Sequence, residues 1–147
     1  MFLHMPSKDA HLAAARENQR AIDYLSERLD QFPGWTATIA FYKALHVVEA
    51  LFAVDGAAGS GHTDKHEIRN RVLKTTTRYQ QIWKNYRELF QTSLIARYLR
   101  ANENGPEYEI FSRYMPPEAV KKLVLGHWLL QVQKSAAHLA GEESFKV

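Results

Sequence analysis

Tyr42, His46 and Glu49 stand four and three residues apart, steps that bring three polar side chains onto one face of a helix. A carboxylate beside an imidazole fixes its tautomer and raises its pKa, as a catalytic or metal-bound histidine requires. The same trio also suits a buried, internally hydrogen-bonded cluster, and the residues alone leave both readings open. His66 and Arg69 make a second pair, three residues apart on one helix face. Histidine moves a proton and arginine grips a phosphate in its planar fork, so the pair suits phosphodiester chemistry. Arg71 and Lys74 add positive charge nearby, and a merely basic surface helix is the plainer alternative. His62 and His66, joined by His46 or Glu49, would give a nitrogen and oxygen metal set, but Gly61 and Thr63 place His62 in a loop. Arg97 lies one turn beyond Ser93 and is followed by Tyr98. An arginine directed inward at a helix end calls for a carboxylate, and Glu49 is the candidate. His127, beside Trp128, reads as a packed core histidine.

The elements that must position these groups are all helical. Ser7 is a good N-cap, and Lys8 to Phe32 is predicted as helix one, with Ala15, Ile22, Leu25, Leu29 and Phe32 as its apolar stripe. Pro33-Gly34 is expected to stop it and turn the chain. Helix two, Trp35 to about Val54, is apolar nearly all round except at Tyr42, His46 and Glu49, so other helices should wrap it. The glycine-rich run 55–61 is a loop that lacks the P-loop pattern. A short helix three follows from Lys65 to Lys74, and Thr75-Thr76-Thr77 marks a break. Helix four is predicted from about Arg78 to Ala101, and a loop with one turn of helix, Glu107 to Arg113, leads to Pro116-Pro117. Pro117 opens helix five, which extends to about Leu139 on the stripe Val120, Val124, Trp128, Val132, Ala136 and Leu139. No strand pattern, repeat or linker competes. The expected fold is all-α, one domain over residues 1–147 built as an antiparallel bundle of four to five helices.

Composition narrows the chemistry further. The 147 residues are 46% hydrophobic and 24% charged, the profile of a globular chain. A net charge of +3 is compatible with nucleic acid without arguing for it. With no cysteine, disulfides, thiolate metal sites and cysteine nucleophiles are excluded. The first residues lack a signal-peptide pattern, and no uninterrupted apolar run reaches the roughly 18 residues of a membrane span. The chain is therefore expected to be soluble and cytoplasmic, without membrane association.

Three segments in succession resemble one family. The run 41–51, Phe-Tyr-Lys-Ala-Leu-His-Val-Val-Glu-Ala-Leu, resembles the aromatic-small-His-Ala-Leu helix of HEPN (higher eukaryotes and prokaryotes nucleotide-binding) domains. Residues 61–66 resemble the Gly-rich loop and histidine that follow it. Tyr86-Arg87-Glu88-Leu89, Ser93 and Ala96-Arg97-Tyr98 resemble that family's next long helix. The succession spans about residues 10 to 140. The resemblance implies a helical bundle that is commonly a homodimer with its cleft between protomers. Many members are metal-independent RNases of toxin–antitoxin and antiviral defence systems; others bind nucleotides or partner proteins. The family's Arg-x4-6-His motif is not reproduced: Arg69-Asn70 begins it, and the nearest histidine, His66, precedes the arginine.

Three functions follow as expectations. The first is metal-independent RNA cleavage at a dimer cleft in a prokaryotic defence or toxin system, needing no cofactor. His66, Arg69 and His46 would be catalytic, with Tyr42, Glu49, Arg97 and Tyr98 in support. The second is a non-catalytic module of the same fold that binds a nucleotide or a partner protein. The third is a metal-binding helical-bundle enzyme.

Overall fold

The computed structural model describes residues 6–56 and 65–147. Its helices are α1 (Lys8–Ser26), α2 (Pro33–Asp55), α3 (His66–Thr75), α4 (Gln80–Tyr98), α5 (Phe111–Tyr114), α6 (Pro117–Ala119) and α7 (Leu130–Ala140), with a π-helical segment (Val120–Leu129) joining the last two. No strand occurs among the described residues, and the fold is an all-α helical bundle.

The organising element is α2. Fourteen of its residues are buried, including Phe41, Val47, Val48, Leu51 and Phe52. α1, α4, α7 and the π-helical segment all pack against it, α1 most extensively. By length and composition α2 passes as a membrane span, with mean hydropathy 1.5, yet 72% of its most apolar window is buried within the bundle. Its apolarity is that of a core helix enclosed on several sides.

The boundaries differ from the sequence pattern for local reasons. Ser7 caps α1 by accepting from the Ala10 amide at 3.1 Å, as expected. α1 ends at Ser26, six residues early, and the chain passes through successive turns in which Arg28 N–H donates to Leu25 O and Phe32 N–H donates to Arg28 O. Pro33 does not stop a helix. It starts α2 at the first helical position, where a missing N–H costs nothing. α4 begins after a 3₁₀ turn (Thr77–Tyr79) and ends at Tyr98 because Leu99 takes a left-handed φ of 63° while its N–H caps Ile95 O. The Tyr108 amide then donates to Leu99 O and ties the following loop back.

The final helical stretch shows the largest departure. An i→i+4 stripe would bury Trp128, but the buried positions are Val120, Val124, Leu129, Val132 and Ala136. The π-helical turn widens the repeat, so a five-residue step from Val124 reaches Leu129 and Trp128 is only half-buried. The same rotation turns His127 outward, where it is exposed instead of packed.

Candidate functional site

One face of α2 carries the polar side chains in sequence: Thr38, Tyr42, His46 and Glu49, at steps of four, four and three. Thr38 donates to Gly34 O within α2, and the other three each meet a different element. Glu49 accepts from Arg69 Nε at 2.7 Å, an ion pair between α2 and α3 whose side chains are 8% and 5% exposed. His46 meets His11 of α1, Nδ1 to Nδ1 at 3.0 Å, with ring centroids 5.3 Å apart. The Tyr42 hydroxyl accepts from Arg97 Nη1 of α4 at 3.3 Å. Arg97 also donates from Nη2 to Ser93 Oγ and from Nε to Ser93 O, each at 3.2 Å. Its guanidinium lies 5.7 Å from the Tyr42 ring centroid and 5.2 Å from that of exposed Tyr98.

His66 opens α3 and rests among aromatic rings, its centroid 5.7 Å from Phe41 and 5.5 Å from Phe90. Its Nδ1 lies 3.2 Å from Arg69 Nη1. A guanidinium has only donors, so Nδ1 must accept and the neutral ring carries its proton on Nε2. His66 thus presents an N–H to a ligand and has no free lone pair for taking a proton.

The His11–His46 contact has its own logic. Two neutral imidazoles bonded through Nδ1 require one donor and one acceptor. The ring that donates Nδ1–H has a basic Nε2, and the ring that accepts has an Nε2–H. The pair therefore offers one base and one donor at once. All three histidines hold a proton less firmly than a free imidazole. Burial is the first cause for each; Arg69 opposes the charge on all three, His11 on His46, and Arg97 on His66. Glu49 favours the charged form of His46, but it is the smallest influence there. The expected rise in the His46 pKa is reversed because burial, together with His11 and Arg69, outweighs the Glu49 carboxylate.

The sequence-predicted residues thus converge in part. His46, His66 and Arg69 share one cluster with Tyr42, Glu49 and Arg97, while Tyr98 flanks it through the Arg97 guanidinium. Two roles change. Glu49 pairs with Arg69 instead of Arg97, and Arg69 is 4% exposed, so it is no open phosphate clamp. Arg97 is the half-buried guanidinium that meets no carboxylate within ion-pair distance among the described residues. His11 went unnoticed in the sequence, although its i+4 and i+11 neighbours, Ala15 and Ile22, are buried stripe positions that place it on the inward face. Among the described residues no three His, Asp or Glu side chains group as metal ligands, and His62 lies outside those residues.

No known protein family, curated protein or solved structure matches the chain.

Proposed function

We propose that this chain is a HEPN-like protein that cleaves RNA without a metal ion, with His11 and His46 as its proton-transfer pair. The observation that carries this reading is the 3.0 Å Nδ1–Nδ1 contact between two half-buried imidazoles, both within the field of the Arg69 guanidinium. The substrate's 2′-oxygen attacks the adjacent phosphorus and the bond to the 5′-oxygen breaks. The basic Nε2 of one ring takes the 2′-hydroxyl proton. That ring's Nδ1–H passes to Nδ1 of the other, whose Nε2–H protonates the departing 5′-oxygen. One proton has moved from nucleophile to leaving group, and the two rings have exchanged tautomers. The lowered pKa values leave both rings neutral near pH 7, the protonation state from which the relay starts.

Arg97 and the Nε2–H of His66 hold the phosphate, stabilising charge that grows in the transition state. Arg69 orients His66 and lends a positive field from within the bundle. The role assigned to His66 at sequence level, proton transfer, passes to His11 and His46. In this reading the chain works as a homodimer in a prokaryotic defence or toxin system, as the family resemblance implies, and each site is present twice.

The buried Arg69–Glu49 pair favours a second reading, a nucleotide-binding module that holds its ligand without cleaving it. One experiment separates the two. Purified chain is incubated with RNA in excess EDTA, beside His11→Ala and His46→Ala. Cleavage by the wild type alone supports catalysis; RNA bound but intact in all three supports the module.

A further inference from the structure

Beside Arg97 the surface sinks into a groove of about 530 Å³, between the start of α2, the end of α4 and α5. Sites for small organic ligands span roughly 300–1,000 Å³. Its walls include Trp35, 65% exposed, Ile110, 58% exposed, and Phe32, 39% exposed, three large apolar side chains left in water around one guanidinium. Trp35, Thr38, Tyr42 and His46 fall at steps of three, four and four along α2. His46 of the histidine pair lies about 16 Å farther along the same helix face. Arg97 stands at the junction, lining the groove and bonding Tyr42.

We infer that this groove is a nucleobase subsite, in which a base flanking the bound phosphate stacks on the Trp35 indole. The inference rests on the reading of the site as an RNA site and names what holds the strand there. Asp30, Gln31 and Ser112 also line the groove. A carboxylate repels phosphate yet accepts from the exocyclic amine or ring N–H of a base. Amide and hydroxyl groups match the remaining donors and acceptors of a base edge. The groove thus suits the base, and the Arg97–His66 region suits the phosphate. Stacking on an exposed aromatic tolerates any base, so this subsite adds affinity with little sequence preference.

The test uses the full chain, a short 2′-O-methyl oligouridine that cannot be cleaved, and an abasic oligomer of equal length and charge. Tryptophan fluorescence and a filter assay report binding by wild type, Trp35→Ala, Trp35→Phe and Arg97→Leu, with helix content checked by circular dichroism. The base-bearing oligomer should bind on the order of 10- to 100-fold tighter than the abasic one. Trp35→Ala should erase that difference, Trp35→Phe should keep most of it, and Arg97→Leu should weaken both oligomers. Equal binding of the two oligomers to wild type overturns the subsite and leaves the phosphate site standing. If neither binds, both readings fall. If Trp35→Ala converts a dimer to a monomer and leaves oligomer binding unchanged, the groove is a protein interface and the inference is overturned.

Discussion

Replacing Glu49 by alanine would remove the carboxylate from the buried Arg69–Glu49 ion pair. The pair is short, 2.7 Å, and its side chains are 8% and 5% exposed, so water cannot take the carboxylate's place without opening the α2–α3 contact. Removing one partner of such a buried pair costs about 3–5 kcal/mol. A domain of this size has about 5–15 kcal/mol in all, so the loss is roughly a fifth or more of its stability. At roughly 2–4 °C per kcal/mol the melting temperature should fall by about 6–20 °C. The double variant Glu49→Leu, Arg69→Met removes both charges and should recover to within about 1 kcal/mol of wild type, because neither ion is then left uncompensated. Urea unfolding followed by circular dichroism measures all three proteins. A loss below about 1 kcal/mol in Glu49→Ala, or a double variant no better than the single, would refute the claim that this pair is a committed structural tie.

Other variants probe the neighbouring chemistry. Lys43 is fully buried against Gln19, and burial pushes its pKa down to about 8, Asp23 only partly opposing the shift. Its charge therefore costs stability below that value, by roughly 3 kcal/mol at pH 7. Lys43→Met, after losing the Gln19 bond worth about 1 kcal/mol, should gain about 1–3 kcal/mol in urea unfolding at pH 7; destabilisation would contradict this. The three histidines act on the acid side. Each binds its proton less firmly when folded than when unfolded, so between the two values the unfolded chain holds more protons. Stability should be full above the unfolded value of about 6.5 and fall as pH drops from there through the folded values. An unfolding midpoint unchanged between pH 7 and 5 would be inconsistent with the clustered imidazoles. Gly141 caps α7 at φ 67°, so Gly141→Ala should cost about 1 kcal/mol in the same assay, and a gain would argue against the left-handed cap.

Much of the fold could be read from spacing alone. The apolarity of α2 marks it as the central helix, and the Ser7 cap and Pro117 start fall where local chemistry puts them. What escaped the pattern depends on backbone states that spacing does not encode. Leu99 adopts a left-handed φ that sequence preference argues against, and a π-helical segment shifts the buried position from Trp128 to Leu129. At the site, Tyr42, His46 and Glu49 were legible as one face because that is a property of a single helix. Their partners were not: the sequence suggested Glu49 for Arg97, and it is the docking of α3 and α4 that gives Glu49 to Arg69 and Tyr42 to Arg97. His11 meets His46 across 35 residues of sequence, a contact that only the α1–α2 packing creates.

The central claim, that His11 and His46 relay a proton during cleavage next to a ribose, is tested most directly by the ends that the reaction leaves. A DNA strand carrying a single internal ribonucleotide is incubated with the chain in EDTA, and the products are mapped by mass. The account predicts one cut, immediately 3′ of the ribose, giving a 2′,3′-cyclic phosphate and a 5′-hydroxyl, and no cut with His11→Ala or His46→Ala. An intact strand, cleavage of an all-deoxy control, or undiminished cutting by both variants would contradict it.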